Sequence, residues 1–292
     1  MLSCKLNDGN SIPWLGYGTG TALYQKEASN EVKTAIEYGV THLDTAQVYE
    51  NEDAIGAGLK ASGKPRDSVF ITTKFYPVDN GPTPSLRQTL LNSLEAMSTD
   101  YVDLFLIHAP YPLNERGELK STWKEMEDIK KDGLAKSIGV SNYRVQDLKE
   151  ILDGATVIPA VNQIEYHPYV LDTAEEIYKF CTEKGIRLAS YSGLTPVTSA
   201  KGGPVDAPLA AAAERLSKET GKQVKPANVL TKWLLQRDFI VITTTSKSSR
   251  ITEMLSIPDL PELTATEIEA IETEGKKYHK RMWMHHVFGE QR

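Results

Sequence analysis

Short apolar, β-branched runs alternate with stretches of helical period along the whole chain, as in Val69-Phe70-Ile71 and Leu104-Phe105-Leu106-Ile107. A strand buried on both faces reads as an uninterrupted apolar run, and its crossover helix reads as an amphipathic period, so this alternation predicts parallel βα units. Strands are expected at residues 14–18, 41–44, 69–74, 102–108, 135–141, 161–165, 187–191 and 240–243. Helices are expected at 27–38, 52–61, 84–97, 119–131, 144–152, 173–184, 227–236 and 249–256. Eight strands, each followed by a helix, close a (β/α)8 TIM barrel, for which about 250 residues is typical. The fold class is therefore α/β, and residues 1–292 are read as a single barrel domain.

Several segments stand outside the repeat. Residues 2–12, centred on Asn7-Asp8-Gly9-Asn10, read as a β-hairpin placed to plug the barrel floor. Residues 207–218 and 265–275 read as extra helices, and the chain from Lys276 onward forms a tail carrying Trp283, Met284, His285, His286 and Phe288. Residues 109–118 and 192–206 directly follow strand C-terminal ends, the face on which barrel enzymes keep their sites, so they are expected to be pocket walls.

Composition narrows the class. With 40% hydrophobic and 25% charged residues the chain reads as an ordinary globular protein able to bury a large core. A net charge of -6 argues against a nucleic-acid partner, and no stretch approaches the ~20 apolar residues of a membrane span. Cys4 and Cys181 lack metal-ligand spacing, and the opening residues show no basic region followed by an apolar run, so a reduced, cytoplasmic chain is expected.

Titratable residues fall where a barrel would gather them. Asp44 ends strand two, Tyr49 lies in the loop beyond it, Lys74 ends strand three and His108 ends strand four. Together a carboxylate, a phenol, an ammonium and an imidazole make a proton-donating site. Lys74 is expected to stabilise the phenolate and lower the pKa of Tyr49, with Asp44 balancing the lysine's charge. Singly, Asp44 also reads as a cap, His108 as structural and Lys74 as a solvated strand end; their placement on successive strand ends favours chemistry. His42 and His167 are assigned to packing, and no metal site is expected at His279, His285 and His286.

Beyond these positions the chain resembles an aldo-keto reductase from its first strand to its tail. The resemblance rests on Gly16-Tyr17-Gly18-Thr19, on Gly39-Val40-Thr41-His42-Leu43-Asp44-Thr45-Ala46-Gln47-Val48-Tyr49, and on Lys74 and Ile107-His108. It continues through Ile138-Gly139-Val140-Ser141-Asn142, Asn162-Gln163-Ile164-Glu165-Tyr166-His167-Pro168 and Tyr191-Ser192. It implies a catalytic tetrad of Asp44, Tyr49, Lys74 and His108, with Tyr49 as the acid and His108 orienting a substrate carbonyl. It also implies NADPH as cofactor, with Ser141, Asn142 and Gln163 on the nicotinamide carboxamide and Tyr191 stacked on the ring. Gly18, Thr19, Asp44, Ser192 and Leu194 complete that end of the cofactor site. Gly16, Gly18 and Gly20 do not form a Rossmann fingerprint, because Thr21 occupies the third glycine position.

Three departures from the family pattern change the expectations. Gly20 and Ala109 stand where many members carry tryptophan, which predicts an opened pocket, refilled in part by Phe75, Tyr76, Tyr111 and Trp283 around Tyr49 and His108. The overall look is that of fungal members reducing ketones beside a second carbonyl, such as conjugated polyketone and α-keto amide reductases. After strand eight, Thr244 takes the position of the family's lysine, yet Thr244, Thr245, Ser246, Lys247 and Arg250 still offer an anion site suited to the 2′-phosphate of NADPH. Glu253 fits an adenine contact, whereas Met254 replaces the common asparagine.

The expected activity is thus NADPH-dependent reduction of an aldehyde or ketone, with activated ketones favoured, by a monomer or weak dimer whose partner is the small carbonyl substrate. A non-catalytic, nicotinamide-sensing subunit is the principal rival, and the complete tetrad argues against it. A Schiff-base aldolase using Lys74 is disfavoured by Ser141, Asn142 and Gln163.

Overall fold

The computed structural model describes residues 2–78 and 81–289. Met1, Asp79, Asn80 and residues 290–292, which fall within the expected domain and tail, lie outside them. The chain opens with an antiparallel hairpin, β1 (Ser3–Lys5) and β2 (Ser11–Pro13), turned at Gly9. Eight parallel strands follow: β3 (Leu15–Gly18), β4 (His42–Asp44), β5 (Phe70–Phe75), β6 (Val102–Ile107), β7 (Ala135–Ser141), β8 (Val161–Glu165), β9 (Arg187–Tyr191) and β10 (Ile240–Thr243). They pair in chain order and close between β10 and β3, giving the expected (β/α)8 barrel.

The helices are α1 (Ser29–Glu37), α2 (Glu52–Ser62), α3 (Leu86–Met97), α4 (Leu119–Lys131), α5 (Val145–Leu152), α6 (Leu171–Lys184), α7 (Asp206–Thr220), α8 (Pro226–Gln236), α9 (Ser248–Leu255), α10 (Ala265–Gly275) and α11 (His285–Phe288). Of these, α7 and α10 are the two extra helices, and α11 lies in the tail. Helix α6 begins ahead of the expected residue 173, because Pro168 opens a single turn that runs straight into it. No described helix is long and apolar enough to cross a membrane.

Strand alternation sorts the core into two layers. Residues such as Ile71, Phe75, Phe105, Ile107, Val140 and Ile164 pack outward against the helices. Leu104, Leu106, Val161, Ala189, Ile240 and Ile242 fill the barrel, and Leu6 and Ile12 of the hairpin join them, closing the floor. Because side chains alternate along a strand, the inward series continues upward from Leu106 to His108, from Val161 to Gln163 and Glu165, from Ala189 to Tyr191 and from Ile242 to Thr244. The barrel's hydrophobic filling therefore gives way to polar side chains at one end, the C-terminal mouth.

His42 is a polar member of the lower filling. It is fully enclosed, with Nδ1 donating to the Pro13 carbonyl at 3.3 Å and Nε2 accepting from Thr72 Oγ1 at 2.9 Å. Burial depresses its pKa to about 4, against the pull of Asp44. Between that value and the ordinary 6.5 the unfolded chain binds the proton and the folded one does not. Stability from this residue is therefore present above pH 6.5 and lost as the pH falls through that window, on the order of 3 kcal/mol. The imidazole should titrate near pH 4 by NMR while denaturation midpoints fall across the same interval; a titration near pH 6.5 would exclude this account.

Candidate active site

Asp44, Lys74 and His108 reach the mouth from three neighbouring strands, and Tyr49 joins them from a single helical turn after β4. Lys74 Nζ donates to Asp44 Oδ1 at 2.6 Å and to the Thr45 carbonyl at 2.9 Å, with both side chains shut off from solvent. Asp44 Oδ2 accepts from Gln163 Nε2 at 2.8 Å. Burial alone would lower the pKa of Lys74, but the adjoining Asp44 carboxylate and Tyr49 phenol raise it above 10.5, so the ammonium stays charged.

Tyr49 lies with its ring centroid 5.2 Å from Lys74 Nζ and its hydroxyl 3.5 Å from His108 Nε2. Lys74 pulls the phenol's pKa down, as expected, but does not decide its net direction. The enclosed setting of Tyr49 raises the value above 10, and Lys74 opposes that rise without reversing it. His108 is held well below 6.5 by burial and by Lys74, so it is neutral. Its Nδ1 is buried without a partner. A stranded acceptor nitrogen costs less than a stranded N–H, which favours the proton on Nε2, directed at the Tyr49 hydroxyl.

The next three strands supply an interlocked polar wall. Ser141 Oγ donates to the Gln163 carbonyl at 2.7 Å, and Asn142 Nδ2 donates to the His108 carbonyl at 2.8 Å and to Ser141 Oγ at 3.1 Å. Tyr191 donates its hydroxyl to Asn142 Oδ1 at 2.7 Å. Asn142 holds a left-handed φ of 62°, a conformation asparagine tolerates better than most residues. Ser192, also left-handed, turns the chain beyond Tyr191 toward half-buried Leu194.

Thr244 follows β10, and its Oγ1 is buried without a partner. Thr245 is anchored below, its carbonyl accepting from Tyr17 and its hydroxyl from the Lys247 amide. Ser246, Lys247 and Arg250 are exposed around the N-terminus of α9, and neither cation makes an ion pair among the described residues. Glu253, expected at an adenine, has its carboxylate held by Lys225 at 2.8 Å and Asn228 at 3.0 Å.

The substrate-side expectations divide. Ala109 is buried beside His108, Tyr76 meets the His108 ring edge-on at 5.7 Å, and Tyr111 meets His286 at 5.2 Å. Trp283 is half exposed in the tail. Phe75 does not refill the pocket: with Lys74 pointing inward, its neighbour must point outward, and it is buried in the layer between barrel and helices. Gly20 does not leave open space either, since a Cβ there would lie 2.5 Å from Tyr49 Cζ and 2.9 Å from its hydroxyl. The glycine's missing side chain is what lets Tyr49 occupy its place.

Two groups escaped the sequence reading. Asn51 is buried and donates to the Thr19 and Leu23 carbonyls while accepting from the Thr19 hydroxyl, fixing the loop that carries Gly20. Its position one residue ahead of a helix was the available signal. Glu165, inward by parity with Gln163, accepts from His167 and from two amides of the tail.

Comparison with known proteins identifies the family of this barrel. A model of the Aldo/keto reductase family matches residues 14–274. The chain is 39% identical over 288 residues to a NAD/NADP-dependent indole-3-acetaldehyde reductase of Schizosaccharomyces pombe, covering 96% of this chain and 97% of that protein. It is 34% identical to an NADPH-dependent alpha-keto amide reductase of Saccharomyces cerevisiae, covering 98% and 95%. An aldo/keto reductase crystal structure from Brucella melitensis superposes with a TM-score of 0.80 at 34% identity, covering 93% of this chain and 98% of that one. The chain belongs to the aldo/keto reductase family. It is an oxidoreductase acting on carbonyl compounds.

Because a side chain at position 20 would displace the Tyr49 phenol, Gly20→Ala should lower kcat/KM by roughly 10²-fold, the scale of a misplacement near 1 Å. The loss should be equal for a small aldehyde and a bulky cyclic diketone. Steady-state kinetics on both substrates checks it, and a loss confined to the bulky substrate would return Gly20 to the pocket wall.

Proposed function

We infer that this chain is an NADPH-dependent reductase of aldehydes and ketones in which Tyr49 delivers the proton, acting as a single catalytic domain over residues 1–292. The observation that carries this reading is the convergence of Tyr49, the charged Lys74–Asp44 pair and neutral His108 on one point of the mouth. Two relatives named for NADPH or NAD/NADP use support the cofactor.

The donor set fits that cofactor. Ser141, Asn142 and Gln163 present amide and hydroxyl groups beside Tyr191, suited to a nicotinamide ring and its carboxamide, with Gly18 and Thr19 alongside. Thr244, Thr245, Ser246, Lys247 and Arg250 combine a buried hydroxyl without a partner, a helix N-terminus and two cations that make no ion pair among the described residues, suited to a 2′-phosphate. Glu253 enters this site only if Lys225 and Asn228 share it. When bound, NADPH supplies a hydride to the carbonyl carbon.

The chain's own residues do the rest. His108 offers Nε2–H to the substrate oxygen and fixes its direction. Tyr49 holds its proton through the physiological range and releases it as negative charge grows on that oxygen. Lys74 stabilises the phenolate left behind, and Asp44 keeps Lys74 in place. Activated ketones are the favoured substrates, because a second carbonyl withdraws electrons from the reacting carbon. The keto amide named for the yeast relative has that chemistry.

Tyr49→Phe should lower kcat by about 10²–10⁴ while NADPH affinity, measured by fluorescence titration, holds within about two-fold. Near-normal turnover would assign the proton to another group. Arg250→Ala should weaken NADPH by roughly 10- to 100-fold and leave NADH unchanged, as loss of a charge-assisted phosphate contact requires. Equal losses for both cofactors in the same titration would remove Arg250 from the 2′-phosphate.

A further inference from the structure

Glu165 is the last residue of β8 and pairs in register with Tyr191. Its carboxylate is wholly buried, yet none of its partners belongs to the tetrad. Oε1 accepts from His167 Nε2 at 2.9 Å and from the Met282 amide at 2.8 Å, and Oε2 accepts from the Trp283 amide at 2.9 Å. His167 Nδ1 accepts from the Tyr169 amide at 3.3 Å, so the imidazole's proton is on Nε2 and points at the carboxylate. Three N–H groups thus converge on one acceptor-only side chain, two of them from consecutive residues of a tail that starts more than a hundred positions later.

From that fork the tail runs along the rim of the mouth. The Val287 carbonyl accepts from Arg144 beyond β7 at 2.9 Å, and His286 packs edge-on against Tyr111 beyond β6 at 5.2 Å. The tail therefore spans the ends of three neighbouring strands, with Trp283 next to its first attachment and half exposed at the rim.

We propose that Glu165 is a positioning residue for substrate choice: its carboxylate fastens the Met282 and Trp283 amides and so sets where the Trp283 indole stands against bulky, planar carbonyl substrates. The substrate half of this statement rests on the carbonyl-reductase reading, whereas the fastening does not. A glutamine at 165 keeps the shape but brings an NH2 to a site built entirely of donors, so it must turn that group onto one of them or move away.

The first test needs no substrate. In the unmodified protein, hydrogen exchange at the Met282 and Trp283 amides should be slow compared with their exposed tail neighbours, and in Glu165→Gln it should speed up by at least roughly ten-fold, as expected for a lost charge-assisted bond. Trp14, Trp123 and Trp233 are at most 1% exposed while Trp283 is 50% exposed, so acrylamide quenching of the intrinsic fluorescence reads Trp283 and should rise in the variant. In kinetics, Glu165→Gln should raise KM for a bulky cyclic diketone by roughly ten-fold and leave kcat for a small aldehyde within about two-fold. Combined with Trp283→Ala it should add nothing to the effect of Trp283→Ala alone, since both act through one indole. Exchange at the two amides as fast as in a free peptide, in the unmodified chain, overturns the fastening even if the variant does not fold. A variant that loses kcat equally on both substrates overturns the role in substrate choice. A chain that reduces no carbonyl leaves the exchange result standing and overturns the functional reading instead.

Discussion

Lys74 and Asp44 meet at 2.6 Å with both side chains closed off from water, and the mouth of the barrel is organised around keeping both charged. Removing an ammonium and a carboxylate from solvent costs several kcal/mol for each ion, and their attraction offsets this only when the remaining donors and lone pairs are also engaged. Here they are: the Thr45 carbonyl takes a second proton of Lys74, and Gln163 donates to the other oxygen of Asp44. Well-packed apolar residues in place of a buried ion pair are often as stable or more so, so stability alone does not account for the pair. The pair's value lies in a fixed positive charge beside a phenol.

The same bonds tie the Asp44–Lys74 side of the mouth to the opposite wall. Gln163 holds Asp44 with its amide, and its backbone carbonyl receives Ser141 Oγ and the Asn142 amide. Asn142 in turn braces the His108 carbonyl and is itself held by Tyr191. Positions on β4, β5, β8 and β9 and in the loops after β6 and β7 are thereby locked relative to one another without a mobile side chain between them. Such pre-organisation is what a site needs if its dipoles are not to reorient during reaction.

Much of this was legible in the sequence, because it follows from strand order and alternation. The eight apolar runs defined the barrel, and polar residues closing those runs marked Asp44, Lys74 and His108. One failure broke the same rule. Phe75 was expected in the pocket although Lys74 beside it had already been placed in the site, and period two sends adjacent residues to opposite faces. Glu165 lay two residues beyond Gln163 on the inward side, so parity marked it, but its partners come from a tail whose path no local pattern encodes. Gly20 was misjudged for a different reason. Volume missing from a sequence says nothing of which neighbour fills it, and here the Tyr49 phenol does.

The raised pKa of Tyr49 bears on how a phenol of this kind can be an acid at all. A value lowered toward neutrality would make proton loss easier, yet it would leave a growing share of molecules already deprotonated and unable to donate. Burial instead keeps the hydroxyl protonated. Lys74, 5.2 Å from the ring centroid, has little to stabilise while the phenol is neutral, but its charge gains a partner as the proton leaves. In the proposed reaction the cation therefore acts mainly on the transition state and the departing phenolate, and only weakly on the ground state. That difference, and not a ground-state acidity, is what lowers a barrier. His108, kept neutral by burial and by the same lysine, adds a donor without adding a second positive charge that would compete for the site.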